Sequence, residues 1–561
     1  MGDKPPRAPR ARLAGRSALD VVAVLAVLAA LVLPGPPDRL TPLAFARIPA
    51  EGLVVAALVL ALPARREVAA GRLAAAGGVL LGLLTLGTLL DVGFYDVPVR
   101  PFDPVLDWSL LGDAAGVVEG SVGRTGTVAL VVLAVVLAVA LVAGLGLAAL
   151  RSAHVVRRHR TVTARAVAVL AAGWVACAVA GVQLVPGEPV ASRHVAQAAE
   201  SRVQQVVAGV RDEAAFAREA RVDAYATAPG ASLLQGLRGK DVLIVFVESY
   251  GRSALADPQL ARVVDPALAA GGRQLAAAGF AARSAYLTSP TAGGGSVLAH
   301  STLLSGLWID NLQRYRNLLA SSRLTLNEAF HNAGWRSVGV MPEVTRAWPE
   351  GAFYHYDALY DSKALGYRGP AFGYVTMPDQ YTLSVLQRRE LAPSRRPPVV
   401  AEVALVSSHV PWAPLPQPVP WDAVDDGSVF DPMPAAAETV SQVWSSTAGI
   451  RDAYARSIAY SLSTVFSFVA TYGSDRTVVV VLGDHQPAPV VTGAGASRDV
   501  PVTILAKDPA VLAQVSGWGW QDGVEPAADA PLWRMDAFRD RFLAAFSGSA
   551  AARDNAVMAA R

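Results

Sequence analysis

The sequence predicts an N-terminal all-α transmembrane bundle of about five helices, followed by a C-terminal α/β domain on a mostly parallel central sheet. Two observations carry this. The first third is a series of apolar stretches separated by short charged loops, whereas from Asp241 onward short β-branched runs alternate with helical patterns. Composition agrees: 53% of the 561 residues are hydrophobic and only 17% are charged, too apolar for a wholly water-soluble chain of this size and too long for one core.

The candidate spans are 17–34, 48–62, 73–92, 128–150 and 166–184, each close to the roughly 20 residues a helix needs to cross the hydrocarbon. The second is the shortest and carries Glu51 near one end. A cleaved signal peptide would account only for the first. Basic residues set the orientation, because loops rich in Lys and Arg stay on the cytoplasmic side. Lys4, Arg7, Arg10, Arg12 and Arg16 precede the first span, Arg65, Arg66 and Arg72 follow the second, and Arg151, Arg157, Arg158 and Arg160 follow the fourth. Asp96, Asp103, Asp107, Asp113 and Glu119 fall between the third and fourth. This pattern places the N-terminus in the cytoplasm, makes the chain a multi-pass protein of the cell membrane, and leaves everything after about Gly187 extracytoplasmic. The expected division is therefore 1–186 membrane domain, 187–239 juxtamembrane helix and linker, and 240–561 extracytoplasmic domain.

The net charge of +3 is small, and its basic residues sit beside apolar segments rather than among aromatics, which argues against a nucleic-acid partner. The single cysteine, Cys177, lies within a candidate span, so neither an internal disulfide nor a cysteine-based zinc site can form. Few charges interrupt the spans, which weakens a transporter reading.

In the linker, Val203, Val206, Val207 and Val210 have helical spacing. Candidate strands follow at 241–247, 336–341, 400–406, 477–482 and 501–505, with helical patterns at 266–278, 324–333 and 453–472. The proline-rich stretches 391–398 and 410–420 read as loops. Nearly continuous apolar strands separated by helices imply a sheet covered on both faces, which places ligands at the carboxyl ends of its strands.

That is where the chemistry-bearing residues fall. Strand 241–247 runs into Glu248, and strand 477–482 runs into Gly483-Asp484-His485. Either end alone is also what a helix cap, an ion pair or a surface turn looks like. Together they supply a mixed oxygen and nitrogen donor set suited to a divalent metal. Between them, Gly293, Gly294 and Gly295 precede Ser296 at the start of a helical pattern. A hydroxyl there is placed to attack phosphorus, and the competing reading is a plain N-cap serine.

The order strand-Glu, Gly-rich hydroxyl loop, distal His and strand-Gly-Asp-His resembles the lipoteichoic acid synthases and related sulfatase-like membrane proteins of the alkaline phosphatase superfamily, over about residues 240–510. The resemblance implies a sulfatase-like catalytic domain in which Glu248, Asp484, His485 and Ser296 hold one divalent metal, Mn²⁺ or Zn²⁺ with Mg²⁺ as a further candidate. It makes Ser296 the nucleophile, where the lipid-linked transferases usually carry threonine. His409, in Ser407-Ser408-His409-Val410-Pro411, corresponds to a headgroup-binding histidine. Glu343 and Trp348 fall near the headgroup carboxylate and tryptophan, and Arg346 is the stand-in for an arginine without a clear counterpart. That departure leaves phosphoglycerol specificity open. No Cys/Ser-x-Pro-x-Arg segment occurs at the nucleophile, which favours phosphoryl over sulfate chemistry. The implied function is a membrane-anchored phosphoglycerol-type transferase or phosphodiesterase acting on a lipid or cell-envelope phosphoester. Its alternatives are a sulfuric ester hydrolase and a non-catalytic envelope-binding scaffold. Oligomeric state is not legible.

Overall fold

The computed structural model describes residues 10–34, 41–95, 108–185, 187–493 and 495–548. Lys4, Arg7, Asp96, Asp103 and Asp107, used above for orientation, lie outside them, as do the side chains of Arg10, Arg12, Arg16, Asp113 and Glu119. The chain divides into two compact units, Met1–Asp212 and Glu213–Arg561.

The first unit is helical. Its principal helices are α1 (Arg10–Leu31), α2 (Ala50–Ala61), α3 (Glu67–Tyr95), α4 (Trp108–Arg158) and α5 (Arg160–Ala180), and α6 (His194–Arg221) starts here and ends in the second unit. Helices occur at all five expected spans. Among the described residues, three are long and apolar enough to cross a membrane: Glu67–Val92, Gly123–Arg158 and Arg160–Ala180. The segments Ser17–Leu31 and Ala50–Ala61 are shorter. The α4 segment breaks at Gly123, which has φ 72°. Between Val128 and Val139 its apolar side chains, among them Val131, Leu133, Val135 and Leu137, are largely exposed, as expected of a lipid-facing segment.

Helices α3 and α4 approach closely because Gly78 and Gly82, four apart on one face of α3, present bare backbone to Leu145, Gly146 and Val142. A Cβ on Gly78 would lie 2.5 Å from the Ala149 Cβ. Small residues at this spacing let helix backbones come together where lipid supplies no hydrophobic drive between them. Arg151 pairs with Asp20 in the middle of α1 at 2.7 Å, and Arg202 with Asp91 in the last turns of α3 at 2.6 Å, so both acids are paired.

The second unit is built on one nine-stranded sheet. Its strands are β1 (Asp241–Val247), β2 (Ala281–Thr288), β3 (Arg336–Met341), β4 (Ala358–Asp361), β5 (Val399–Leu405), β6 (Thr477–Gly483), β7 (Asp499–Ala506), β8 (Gln521–Asp522) and β9 (Leu532–Arg534). Their spatial order is β8-β2-β7-β6-β1-β5-β3-β4, with β9 also against β2. Among the described residues the sheet is mixed, with five parallel pairings, β9 on β2 included, and three antiparallel ones. β6, β1, β5, β3 and β4 run parallel, whereas β7 is antiparallel to both β6 and β2, and β8 is antiparallel to β2. The candidate strand at 501–505 is the centre of this antiparallel β7.

Alternation along β1 shows how the sheet is buried. Leu243, Val245 and Val247 belong to one core, and Val242, Ile244 and Phe246 to the other. The first core is closed by α7 (Pro258–Ala277), α10 (Asp379–Leu386) and α11 (Thr447–Tyr472). The second is closed by α8 (Ser296–Ser305), α9 (Leu326–Asn332) and α12 (Ala537–Phe546). Burial on both faces explains the near-continuous apolar runs in the parallel strands.

Candidate active site

Parallel register brings the carboxyl ends of four strands to one edge. Gly483 on β6 and Leu405 on β5 both pair with Val247 on β1, and Val340 on β3 pairs with Val403 on β5. The chain therefore leaves this edge at Glu248, Asp484, Val406 and Pro342, and each exit carries a predicted site residue. Gly483 is required at its exit: a Cβ there would lie 1.9 Å from the Tyr250 carbonyl oxygen.

The exits are tied together by hydrogen bonds. The Ser249 amide, held at φ 57°, donates to Asp484 Oδ1 at 2.7 Å. Ser408 Oγ donates to the Glu248 carbonyl and Ser289 Oγ to the Asp484 carbonyl, each at 2.6 Å. The Gly293 amide donates to the Gln486 carbonyl at 2.8 Å, which docks the glycine loop beside the Asp484-His485 turn and delivers Ser296 as the first residue of α8. Behind the His409 loop, buried Asp379 accepts from the Val406 and Ser407 amides and from Ser461 Oγ.

Glu248, Asp484 and His485 are all buried, and they present one ligand atom each with all separations within 4.8 Å. Ser296 Oγ donates to Glu248 Oε2 at 2.9 Å and lies 3.2 Å from His485 Nε2. His485 Nε2 is in turn 3.4 Å from Glu248 Oε1 and 3.5 Å from Asp484 Oδ2. The other ring nitrogen, Nδ1, is 2.9 Å from the Gln486 carbonyl, to which it donates. That bond leaves the Nε2 lone pair facing the acids, the arrangement of a metal-binding imidazole.

Charge at this cluster is strongly perturbed. Burial, reinforced by the Glu248 charge, pushes the Asp484 carboxyl up to about 6. Burial would also raise Glu248, but the His485 and His409 rings outweigh it and hold that carboxyl below its ordinary value. Burial opposes the charged form of His485, and Asp484 and Glu248 overcome it, raising the imidazole.

The residues fit a divalent cation. Asp484 Oδ2 is buried and receives no hydrogen bond from the described residues, which is costly for a carboxylate oxygen unless a cation lies against it. Metal–ligand bonds of about 2.0–2.2 Å in a tetrahedral set separate neighbouring donor atoms by roughly 3.3–3.6 Å. The separations around His485 Nε2, from 3.2 to 3.5 Å, come close to that range.

Glu248, Ser296, Asp484, Glu343 and Trp348 line one cavity of about 210 Å³. His409 lies beside it, with Nε2 3.5 Å from Glu343 Oε1 and its ring stacked on Tyr374. Burial lowers the His409 ring's affinity for a proton, but Glu343 and Glu248 more than compensate and raise it. Arg346 is exposed and is not among the cavity-lining residues, so the structure does not bring it to the other candidates. The cavity contains two residues that sequence reading missed, His300 and Glu402. The available signal was Glu402 itself, a lone charge in the apolar run 399–405.

No family model and no curated protein sequence matches the chain. Among solved structures, the chain is similar to the lipoteichoic acid synthase LtaP of Listeria monocytogenes, at 13% identity and a TM-score of 0.34 over 55% of this chain and 71% of that one. It is also similar to the phosphoglycerol transferase GacH of Streptococcus pyogenes in complex with sn-glycerol-1-phosphate, at 13% identity and a TM-score of 0.38 over 62% and 85%. A third similar structure is the zinc complex of the C-terminal periplasmic domain of EcEptC from Escherichia coli, at 13% identity and a TM-score of 0.37 over 56% and 84%.

Proposed function

We propose that the second unit is a metal-dependent phosphoester transferase or phosphodiesterase using Ser296 as its nucleophile, and that it acts on a lipid or cell-envelope substrate outside the cytoplasm. The observation that carries this reading is the position of Ser296 Oγ, within hydrogen-bond reach of both Glu248 and His485 at the N-terminus of α8. Glu248, Asp484, His485 and Ser296 would hold the ion. A bound divalent metal supplies Lewis-acid polarisation of a phosphoryl oxygen and favours the ionised serine hydroxyl.

The chain's own groups account for the rest. Ser296 Oγ, oriented by its hydrogen bond to Glu248 Oε2, loses its proton to solvent and bonds to phosphorus as the bond from phosphorus to the leaving alcohol oxygen breaks, while the first amides of α8 face the developing negative charge. His409, whose cationic form Glu343 and Glu248 favour, binds a non-bridging oxygen or protonates the leaving alcohol. Glu343 and Trp348 give the cavity one charged and one aromatic wall for a polar headgroup.

In this reading 1–186 anchors the protein in the cell membrane, 187–239 connects, and 240–561 is catalytic. Three crossings and five crossings are both odd. With a cytoplasmic N-terminus, either count would leave the second unit outside the cytoplasm, where substrates confined to the membrane surface would be within its reach. The test is to offer the full-length protein in detergent a glycerophospholipid, an aryl phosphodiester and an aryl sulfate. Turnover of phosphodiesters in preference to the sulfate supports the proposal. Preference for sulfate replaces it with sulfuric ester hydrolysis, and inertness towards all three leaves the scaffold reading.

A further inference from the structure

His300 is one helical turn beyond Ser296 on α8, and i,i+4 spacing puts both side chains on the same face. Both line the cavity that also contains Glu248 and Asp484. The His300 ring lies flat against Phe246, with centroids 3.6 Å apart and planes inclined by 14°. Its Nδ1 is 2.9 Å from Glu402 Oε1. A carboxylate only accepts, so Nδ1 carries the hydrogen and Nε2 is the ring nitrogen left for the cavity.

Glu402 is only 2% exposed, and its other oxygen accepts from Asn327 Nδ2 at 2.9 Å and from the Tyr356 hydroxyl. A buried carboxylate with three donors and, among the described residues, no Arg or Lys partner is oriented but not neutralised by them. A purely structural pair would have no reason to open onto the cavity containing the nucleophile. This pair does open there, with its ring orientation fixed by a stacking partner and a carboxylate, the arrangement by which an imidazole is set to take up a proton at one chosen atom.

We infer that His300, oriented by Glu402, is the proton acceptor for the hydroxyl that resolves the covalent intermediate on Ser296. The inference rests on the nucleophile assignment above. In this step the oxygen of water or an acceptor alcohol bonds to phosphorus and its proton passes to His300 Nε2. The bond from phosphorus to Ser296 Oγ breaks, and Oγ takes back a proton from solvent. The proton on His300 then returns through solvent to His409, which spent one on the first leaving group. His300 touches the reacting hydroxyl and is a catalytic residue in this scheme, whereas Glu402 is a positioning residue acting through it.

The test uses the full-length protein in detergent, loaded with Mn²⁺, and bis(p-nitrophenyl) phosphate as the probe. Nitrophenolate release in the first turnover reports adduct formation, and intact mass reports the adduct on the protein. For His300→Gln the expected result is formation within about threefold of wild type and decay about 100-fold slower, the lower range of general acid–base contributions, so that the adduct accumulates on Ser296. Glu402→Gln, which keeps an acceptor for Nδ1 but removes the charge, is expected to fall between. Adduct formation itself shows that each variant is folded. Decay of the His300→Gln adduct at the wild-type rate overturns the role of His300 while leaving Ser296 in place. If wild type forms no adduct and Ser296→Ala turns over normally, the nucleophile assignment falls and this proposal falls with it.

Discussion

Ser296 Oγ donates a 2.9 Å hydrogen bond to Glu248 Oε2, joining residues 48 positions apart in sequence. Glu248 is fixed by its position just beyond β1, and Ser296 by the docking of the glycine loop on the Gln486 carbonyl. The serine is thus held by two independent anchors, and in the proposed function its hydroxyl oxygen is the nucleophile.

Ser296→Thr retains that oxygen and adds one methyl group to a partly buried position. We expect turnover within about tenfold of wild type, because the alkoxide chemistry is unchanged and only local packing is disturbed. Steady-state rates on an aryl phosphodiester check this.

Metal ions should stabilise the protein through the buried acids. At about 100 times its dissociation constant, a ligand bound only by the folded state adds about 2.7 kcal/mol, and thermal unfolding with and without chelator measures it. Asp484→Asn should abolish the increment. Without metal, the same variant should be at least as stable as wild type near neutral pH, because it removes a buried charge whose Oδ2 has no donor among the described residues.

The His409–Glu343 contact predicts a pH effect. Glu343 and Glu248 raise the His409 ring above its ordinary value, so the imidazolium persists to higher pH than a free histidine would. Glu343→Gln removes part of that attraction. The basic limb of the rate profile should then move to lower pH, and an unmoved limb would exclude His409 as the titrating acid.

Away from the site, Asp223 accepts from Arg539 Nη1 and Nη2 at 3.0 and 2.8 Å, with Arg323 Nε 3.4 Å away. Burial raises the Asp223 carboxyl, but the two guanidinium groups outweigh it and hold it below its ordinary value. A depressed carboxylate contributes stability that is present above its unfolded value of about 4 and is lost as pH falls through the folded value. Asp223→Asn should cost about 1–3 kcal/mol near neutral pH, because Arg539 keeps Asp540 at 2.7 Å but the buried guanidinium groups lose their shared carboxylate, and its deficit should shrink on acidification. Denaturant titrations at two pH values test both statements.

Gly483→Ala puts a methyl group where the Tyr250 carbonyl stands. Relief requires the β6 exit to move, so the variant should lose about 1–3 kcal/mol and lose metal affinity with it. Calorimetry of unfolding and of metal binding separates the two effects.

Most of the parallel part of the sheet was legible because burial on both faces writes continuous apolar runs. The ranges 241–247 and 336–341 coincide with β1 and β3. Strand β2 was not legible: Ala281-Ala282-Arg283-Ser284 begins it with small and charged residues, and its strand character comes from pairing with β7. Missing β2 also hid the antiparallel half of the sheet. The described apolar segments of α1 and α2 run Ser17–Leu31 and Ala50–Ala61, against expected spans of 17–34 and 48–62. At the site, Glu248, Ser296, Asp484 and His485 could be singled out because each stands at the end of an element. His300 and Glu402 stand inside α8 and β5, and their partnership spans 102 residues of sequence that no local pattern encodes.

The most direct test of the account is to measure bound divalent metal and phosphodiester turnover together in the wild-type protein, Ser296→Ala and Asp484→Ala. The account predicts metal and turnover in wild type, retained metal but turnover lowered by at least about 1,000-fold in Ser296→Ala, and neither metal nor turnover in Asp484→Ala. A wild-type protein that binds no divalent metal, or a Ser296→Ala variant that turns over like wild type, would contradict it.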